Sequence, residues 1–307
     1  MKVNTKLHSL YLFLAAGIWG MAFVAQSKGM EYMDPFTFNG VRCLIGAVVL
    51  FLFILGRNKI TGRSLKDLDW KVTGLGGLCC GFFLTTASML QQYGIVYTTV
   101  GKAGFITTLY IIFVPIAGIF FRRKVSKIVW VAAVMAAIGM YLLCMTESLS
   151  LSKGDAYVFL CAIFFTGHIM VIDHFSPKTD GVVISCLQFA VSGIICTIAA
   201  FIWGSPAWSQ ITSGVSSLLY AGIMSCGIAY TLQIVGQRGV NPTVASLLMS
   251  LESVVATIAG VIAFRIGFLK TDQSMSIRQI LGCVIVFAAV VLVQLPSHWF
   301  EIRKLDT

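Results

Sequence analysis

One acidic residue stands out in this sequence because it lies deep within a long apolar run. Glu252 follows the segment PTVASLLMSL, which begins at Pro242. With a rise of 1.5 Å per residue, a helix starting there places Glu252 roughly 17 Å along its axis, about half the hydrocarbon thickness of a bilayer. An ionisable side chain at that depth normally faces a cavity or a partner. We therefore expect Glu252 to line or brace a polar cavity, or else to be a hydrogen-bonded strut.

Two basic residues also lie within apolar runs. Arg42 and Lys102 are roughly 9 Å and 6 Å from the nearer ends of their runs on the same rise estimate. A guanidinium binds a carboxylate through two parallel hydrogen bonds, so either residue is a candidate for binding a carboxylate-bearing ligand. The alternative is that their long side chains extend to the membrane interface.

A histidine and two aromatic residues complete the candidate binding set. His168 lies in an apolar run and suggests a proton relay, although a lone histidine there is often a hydrogen-bonded packing residue. Trp19 and Tyr230 are candidates for the walls around a planar or apolar ligand. Aromatic residues at such positions also serve as packing groups or interfacial anchors.

The elements that position these residues follow from the composition. Of the 307 residues, 58% are apolar and 11% are charged, against roughly 25% charged in a soluble domain. The apolar residues form runs of about 17 to 23, the length that a helix needs to cross a bilayer. The sequence therefore predicts an all-α integral membrane protein with ten spanning helices. They lie near residues 9–26, 36–55, 73–93, 98–121, 128–145, 155–172, 181–203, 213–235, 241–263 and 277–295.

The distribution of lysine and arginine predicts the orientation of these spans. With the N-terminus inside, fifteen basic residues lie on the inner side and five on the outer side, leaving Arg42 and Lys102 within spans. Basic residues are enriched in cytoplasmic loops. We therefore predict a multi-pass protein of the inner (plasma) membrane with both termini in the cytoplasm.

Other function classes find little support in the sequence. The net charge of +10 is spread over loops, whereas nucleic-acid binding needs a basic face. The nine cysteines lack metal-ligand spacing, and there is no phosphate-binding GxxxxGK[ST] loop. We predict no nucleic-acid partner, no metal, no cofactor and no enzymatic activity.

The chain contains an internal repeat. A shift of 142 residues aligns residues 90–121 with 232–263 and matches eight of thirty-two positions. The shift pairs Gln91 with Gln233, which we predict as gates, and Tyr110 with Glu252, which we predict as substrate-binding. Two copies of five spans enter the membrane from opposite sides, so we predict inverted repeats over 1–150 and 151–307. Such repeats typically bind substrate near the membrane midplane and operate by alternating access.

Several segments resemble one transporter family. They are Gly17-Ile18-Trp19-Gly20, Arg42 with its apolar run, Gly154-Asp155, and the segment from Pro242 to Glu252. Across about residues 9–295 the chain resembles the EamA family of the drug/metabolite transporter superfamily. This resemblance implies ten helices and a monomeric carrier that exports amino acids or related metabolites.

The sequence departs from the family pattern directly after the buried acid. The family usually has proline where this chain has Ser253, while Pro115 lies at the analogous region of the first half. Because proline kinks helices, we expect helix bending to differ between the two halves.

The function that we predict is secondary-active export of amino acids or related small metabolites, with the lipid bilayer as solvent and protons as coupling ion. A multidrug or cationic-compound exporter is an alternative, weakened because the first span contains no acidic residue. A channel or an intramembrane enzyme would belong to different classes.

Overall fold

The computed structural model describes residues 5–62, 64–98, 100–121, 125–144, 152–269 and 276–294. Regular structure in these ranges is helical, with no strand. A 3₁₀ turn covers Leu65–Asp67 and a π-helical segment covers Tyr220–Ala229. The α-helices are Thr5–Gly29 (α1), Pro35–Thr61 (α2), Trp70–Tyr97 (α3), Val100–Thr107 (α4), Tyr110–Phe120 (α5), Lys127–Cys144 (α6), Lys153–Phe175 (α7), Gly181–Trp203 (α8), Trp208–Ser213 (α9), Val215–Leu219 (α10), Tyr230–Gln237 (α11), Pro242–Met249 (α12), Leu251–Arg265 (α13) and Ile277–Gln294 (α14).

Eight helical segments in the described ranges are long and apolar enough to cross a membrane, so the chain is a multi-pass membrane protein. They are α1, α2, α3, Ala103–Phe120, α7, α8, Val215–Gln237 and Pro242–Arg265. The other two predicted spans coincide with α6 and α14, whose apolar parts are shorter, Lys127–Gly139 and Ile280–Leu292. The number ten therefore stays a prediction. Both chain ends and the predicted boundary after residue 150 lie outside the described ranges.

Side chains at loop ends start several of these helices. Asp34 accepts hydrogen bonds from the backbone N–H groups of Phe36 and Thr37, and Pro35 opens α2. Asp69 caps α3 and Asp180 caps α8 in the same way. An acidic cap accepts hydrogen bonds from N–H groups that have no partner within the helix, and its negative charge interacts favourably with the positive end of the helix dipole. These caps fix where the spans begin.

Two predicted spans contain a short interruption of α-helical hydrogen bonding, which we call a break, and the two breaks are related by the 142-residue shift. The first, at Thr108 and Leu109, separates α4 from α5, and the second, at Ser250, separates α12 from α13. The backbone keeps right-handed helical angles at Leu109 and Ser250. At each break a hydroxyl bonds the backbone of the preceding turn. Thr108 Oγ1 donates to the Phe105 carbonyl at 2.9 Å, and Ser250 Oγ donates to the Leu247 carbonyl at 2.7 Å. Such hydroxyl bonds compete with regular helix geometry and bend helices.

The two breaks share one backbone feature, and the expected difference in bending between the halves stays a prediction. The Ile111 N–H bonds the Thr108 carbonyl at 3.0 Å, and the Ser253 N–H bonds the Ser250 carbonyl at 3.1 Å. Both bonds span three residues instead of four and tighten the chain in the same way. Proline at position 253 would have no N–H for this bond. Pro115 lies further along α5, so the break does not depend on proline in either place.

The helices pair mainly between the first and second parts of the sequence. The most extensive pairings join α3 to α7, α2 to α8, α6 to α14, α3 to α8, and α1 to α13. Glycine allows the closest approach: a Cβ atom on Gly154 of α7 would lie 2.7 Å from the Gly94 carbonyl oxygen of α3. Small residues at such contacts let backbones pack closely in membranes, where dispersion replaces the hydrophobic effect.

Polar contacts also join the two parts at one end of the bundle. Arg57, near the end of α2, forms a two-bond ion pair with Asp180, with Nη2–Oδ2 at 2.8 Å and Nη1–Oδ1 at 3.2 Å. Burial alone would raise the pKa of Asp180. The hydrogen bonds and positive charge of Arg57, together with hydrogen bonds from two backbone N–H groups, lower this pKa by more than burial raises it. The pKa of Asp180 therefore lies below its usual value. Arg238 donates to the Thr179 carbonyl beside this pair.

Candidate functional site

A cavity of about 40 Å³ lies among α4, α5, α12, α13 and the helices around them. It has room for a few water molecules and is smaller than a typical small-molecule site. We call it the central cavity. The described residues that line it are Trp19, Phe23, Gln26, Arg42, Gln91, Thr107, Tyr110, Phe165, Ile169, Ser225, Tyr230, Gln233, Met249 and Glu252.

Glu252 and Tyr110 meet on the cavity wall. The Tyr110 hydroxyl donates to Glu252 Oε1 at 2.9 Å, and both residues are buried. Each lies in the first turn after a helix break, at positions that the 142-residue shift pairs. No basic side chain in the described part of the chain lies within 4.0 Å of the carboxyl. Glu252 therefore lines the cavity and also ties α13 to α5.

Arg42 lies on the same cavity and is 4% exposed, so its side chain does not extend to the membrane interface. Its Nε has no hydrogen-bond partner in the protein. The guanidinium carbon lies 5.6 Å from the centre of the Phe38 ring, a cation–π contact. Within the described ranges no carboxylate oxygen lies within 4.0 Å of Arg42. The cavity thus contains a buried cation without an acidic partner.

Trp19 and Tyr230 form one aromatic corner of the cavity. Their ring centres are 4.7 Å apart at an interplanar angle of 65°, the edge-to-face geometry that aromatic quadrupoles favour. Trp19 Nε1 is buried and has no protein acceptor. The corner therefore offers an apolar wall with one unused N–H donor.

His168 lies behind this corner and does not line the cavity. It is fully buried, with Nε2 at 2.9 Å from Gln188 Oε1. Its ring centre lies 5.9 Å from that of Tyr230. From the sequence we expected His168 to contact a ligand. This geometry does not support that contact; it supports packing of His168 against Tyr230.

The two predicted gate residues both border the central cavity. Gln91 Nε2 donates to Thr107 Oγ1 at 3.1 Å, while Gln233 Oε1 has no protein donor. Their gating role stays a prediction. Lys102 belongs to α4, but its side chain lies outside the described part of the chain.

Several lining residues were missed in the sequence. Gln26 is one, although Trp19, Phe23 and Gln26 are spaced i, i+4 and i+7, which puts them on one helix face. Ser225 lies in the π-helical segment, and π-helical turns often occur at functional sites. The apolar pattern of the sequence does not distinguish such a segment from an α-helix. The described residues contain no cluster of three or more metal-ligating side chains.

The model of the EamA-like transporter family matches residues 6–145 and again residues 152–295. The chain belongs to the EamA-like transporter family. Like the members of this family, it is a membrane transporter.

Two similar proteins are also named as transporters. An "Uncharacterized transporter" of Archaeoglobus fulgidus is 28% identical over 93% of this chain and 85% of its own length. The "Uncharacterized transporter YwfM" of Bacillus subtilis is 25% identical over 94% and 96%.

A solved crystal structure shares the fold of this EamA-like transporter. It superposes with a TM-score of 0.75 and covers 96% of this chain and 98% of its own, at 16% identity. At that identity the likeness concerns the helical fold alone.

Proposed function

We propose that this EamA-like transporter is a secondary-active carrier that exports amino acids or related small metabolites by alternating access. One observation carries the proposal: the central cavity lies where two helices break at equivalent positions, with Arg42 and Glu252 both buried on its wall. Broken helices near the membrane midplane are the usual binding elements of carriers with repeated halves.

The polar groups of the cavity support a ligand with both acceptors and donors. Arg42 and Trp19 present unused N–H donors, which suit a carboxylate. Gln26 Oε1 and Gln233 Oε1 have no protein donor and suit an ammonium or amide N–H. An exporter of cationic compounds is less well supported because the charge of Arg42 would repel a cation.

The architecture that we propose has ten spans in two inverted repeats, 1–150 and 151–307. The two matches of the family model fall one in each repeat, which supports the division. The helix breaks at Thr108 and Ser250 support it as well. We further propose a monomer in the inner (plasma) membrane, with both termini in the cytoplasm according to the distribution of basic residues. Protons are the proposed coupling ion, with Glu252 as the group that carries them.

Transport by the purified protein in proteoliposomes tests this function. We expect uptake of a labelled amino acid to be saturable and to accelerate when unlabelled amino acid fills the opposite side. Arg42→Lys should raise KM at least about tenfold because an ammonium cannot form the two-bond contact with a carboxylate. Lys59→Arg, at an exposed position in α2, is the control that changes a basic residue far from the cavity.

Two results would contradict the proposal. A conductance that does not saturate would indicate a channel. Normal transport by Arg42→Lys would exclude the two-bond role of Arg42.

A further inference from the structure

The guanidinium of Arg42 is a buried charge that the protein does not neutralise. Its Nε has no protein acceptor, and within the described ranges no carboxylate lies within 4.0 Å. The Phe38 ring offers a cation–π contact only. Removing an uncompensated charge from water is costly, so buried charges in proteins are normally paired.

The acid on the same cavity does not pair with Arg42. Glu252 lies beyond 4.0 Å from every basic nitrogen in the described ranges and accepts a hydrogen bond from the hydroxyl of Tyr110 instead. The other described lining residues carry neutral side chains, amides, hydroxyls and aromatic rings. A neutral water molecule could accept from Arg42, but it would leave the charge uncompensated.

Trp19 adds a second donor from another helix. Its Nε1–H is buried and unused. Tyr230 packs on Trp19, and Trp19, Arg42 and Tyr230 all line the central cavity, so both donors face the same small space. Two unused N–H donors, one of them charged, suit a ligand that only accepts hydrogen bonds and is negatively charged.

We propose that Arg42 and Trp19 form a binding site for a small monovalent anion, which holds inorganic chloride when no substrate is bound and the carboxylate of the substrate otherwise. Chloride binding follows from the two donors alone. The exchange of chloride for a carboxylate rests on the proposed function. Chloride should then compete with the transported substrate.

Thermal unfolding of the purified protein in detergent, titrated with sodium chloride, tests the site. Sodium isethionate keeps the ionic strength constant. A ligand that binds only the folded state raises Tm in a saturable way, and we expect this for the wild type. Arg42→Gln should abolish the chloride dependence. Trp19→Phe should weaken the apparent affinity about tenfold because one hydrogen bond to a charged ligand is lost.

Arg265→Gln is the matched control, since Arg265 is exposed at the end of α13 and carries the same charge; its chloride dependence should equal that of the wild type. Should Arg42→Gln not fold, line broadening of ³⁵Cl nuclear magnetic resonance with wild type and Trp19→Phe decides the question. Equal chloride responses of wild type and Arg42→Gln, or no response in the wild type, would overturn the proposal.

Addition of amino acids separates this inference from the proposed function. If chloride binds and no amino acid displaces it, the anion site stands and the proposed substrate class fails. If amino acids raise Tm and chloride does not, the carrier stands and the chloride site fails.

Discussion

The bond between Tyr110 and Glu252 joins two residues that the internal repeat pairs. A carboxyl at this depth needs a partner, and the hydroxyl supplies it at 2.9 Å. Because the same carboxyl also lines the cavity, a structural and a functional role are both open to it. The two roles differ in what they require: the bond requires only an acceptor oxygen, whereas proton carriage requires an acid.

Glu252→Gln separates these roles, since the amide oxygen still accepts the bond from Tyr110. We expect Tm to change little and transport to fall at least about tenfold, as is usual when a positioned acid–base group is lost. Uptake rate and protein amount should be measured together. Glu31→Gln removes an acid that pairs with Lys28 and should leave transport unchanged. Full transport by Glu252→Gln at a normal protein level would leave the strut as the only role.

The sequence pointed to residues of the cavity wall where the residue type was unusual for its surroundings. Glu252 and Arg42 were recognisable because charge is rare within apolar runs, and Tyr110 because the repeat pairs it with Glu252. Thr107 and Gln26 gave no comparable signal, because hydroxyl and amide groups are common inside membrane helices. His168 was expected to contact a ligand, but it does not line the central cavity. Its helix is apolar over most of its surface, so the pattern does not tell which side faces the cavity.

At the scale of the elements, the approach of α1 to α13 positions Glu252. A Cβ atom on Gly20 would lie 2.7 Å from the Glu252 carbonyl oxygen and would also meet the side chain of Val255. Gly20 therefore lets α1 pack directly on the first turn of α13. Gly17, one turn earlier, has no such neighbour within 4 Å.

Gly20→Ala should push the two helices apart and destabilise the protein by about 1–3 kcal/mol, the usual cost of inserting a methyl group into a packed contact. Thermal unfolding measures this effect. Gly17→Ala is the matched control, with an expected change within about 1 kcal/mol that includes the better helix propensity of alanine. Equal effects of the two substitutions would mean that the contact at Gly20 is not close.

The positions of the spans followed from apolar runs and loop charges, but the breaks within them did not. At both breaks a threonine or serine hydroxyl bonds the backbone of its own helix. Ser88, Ser246 and Ser253 make the same bond to the carbonyl three residues earlier without interrupting their helices, so a hydroxyl in the sequence does not by itself mark a break. At Ser253, where the family usually has proline, the backbone N–H bonds the Ser250 carbonyl, so the break there occurs without proline.

At the scale of the whole molecule, an ion pair joins the two parts of the chain. Arg57 of α2 holds Asp180 at the start of α8, and Arg238 bonds the adjoining Thr179 carbonyl. The pair is half-buried, so solvent weakens it only in part.

Asp180→Asn should lower Tm at pH 7 because asparagine caps the helix equally well but carries no charge for Arg57. The pKa of Asp180 is lowered in the folded state. Its stabilisation is therefore complete above the unfolded pKa of about 4 and is lost as pH falls through the folded value. The difference in Tm between wild type and variant should be constant from about pH 5 to 8 and shrink below about pH 4.

Asp69→Asn is the control for this prediction. Asp69 caps α3 through two backbone N–H groups, with no ion pair to a basic side chain among the described residues. At pH 7 the Tm of Asp69→Asn should differ from that of the wild type by less than the Tm of Asp180→Asn does. A deficit of Asp180→Asn that persists unchanged at low pH would show that charge is not its origin.

The pairing of α3 with α7, α2 with α8 and α1 with α13 has a consequence for what can move. Helices from the first part of the chain therefore pack mainly against helices from the second part, and neither part forms a block on its own. In the carrier that we propose, opening and closing would move groups of helices drawn from both parts of the chain.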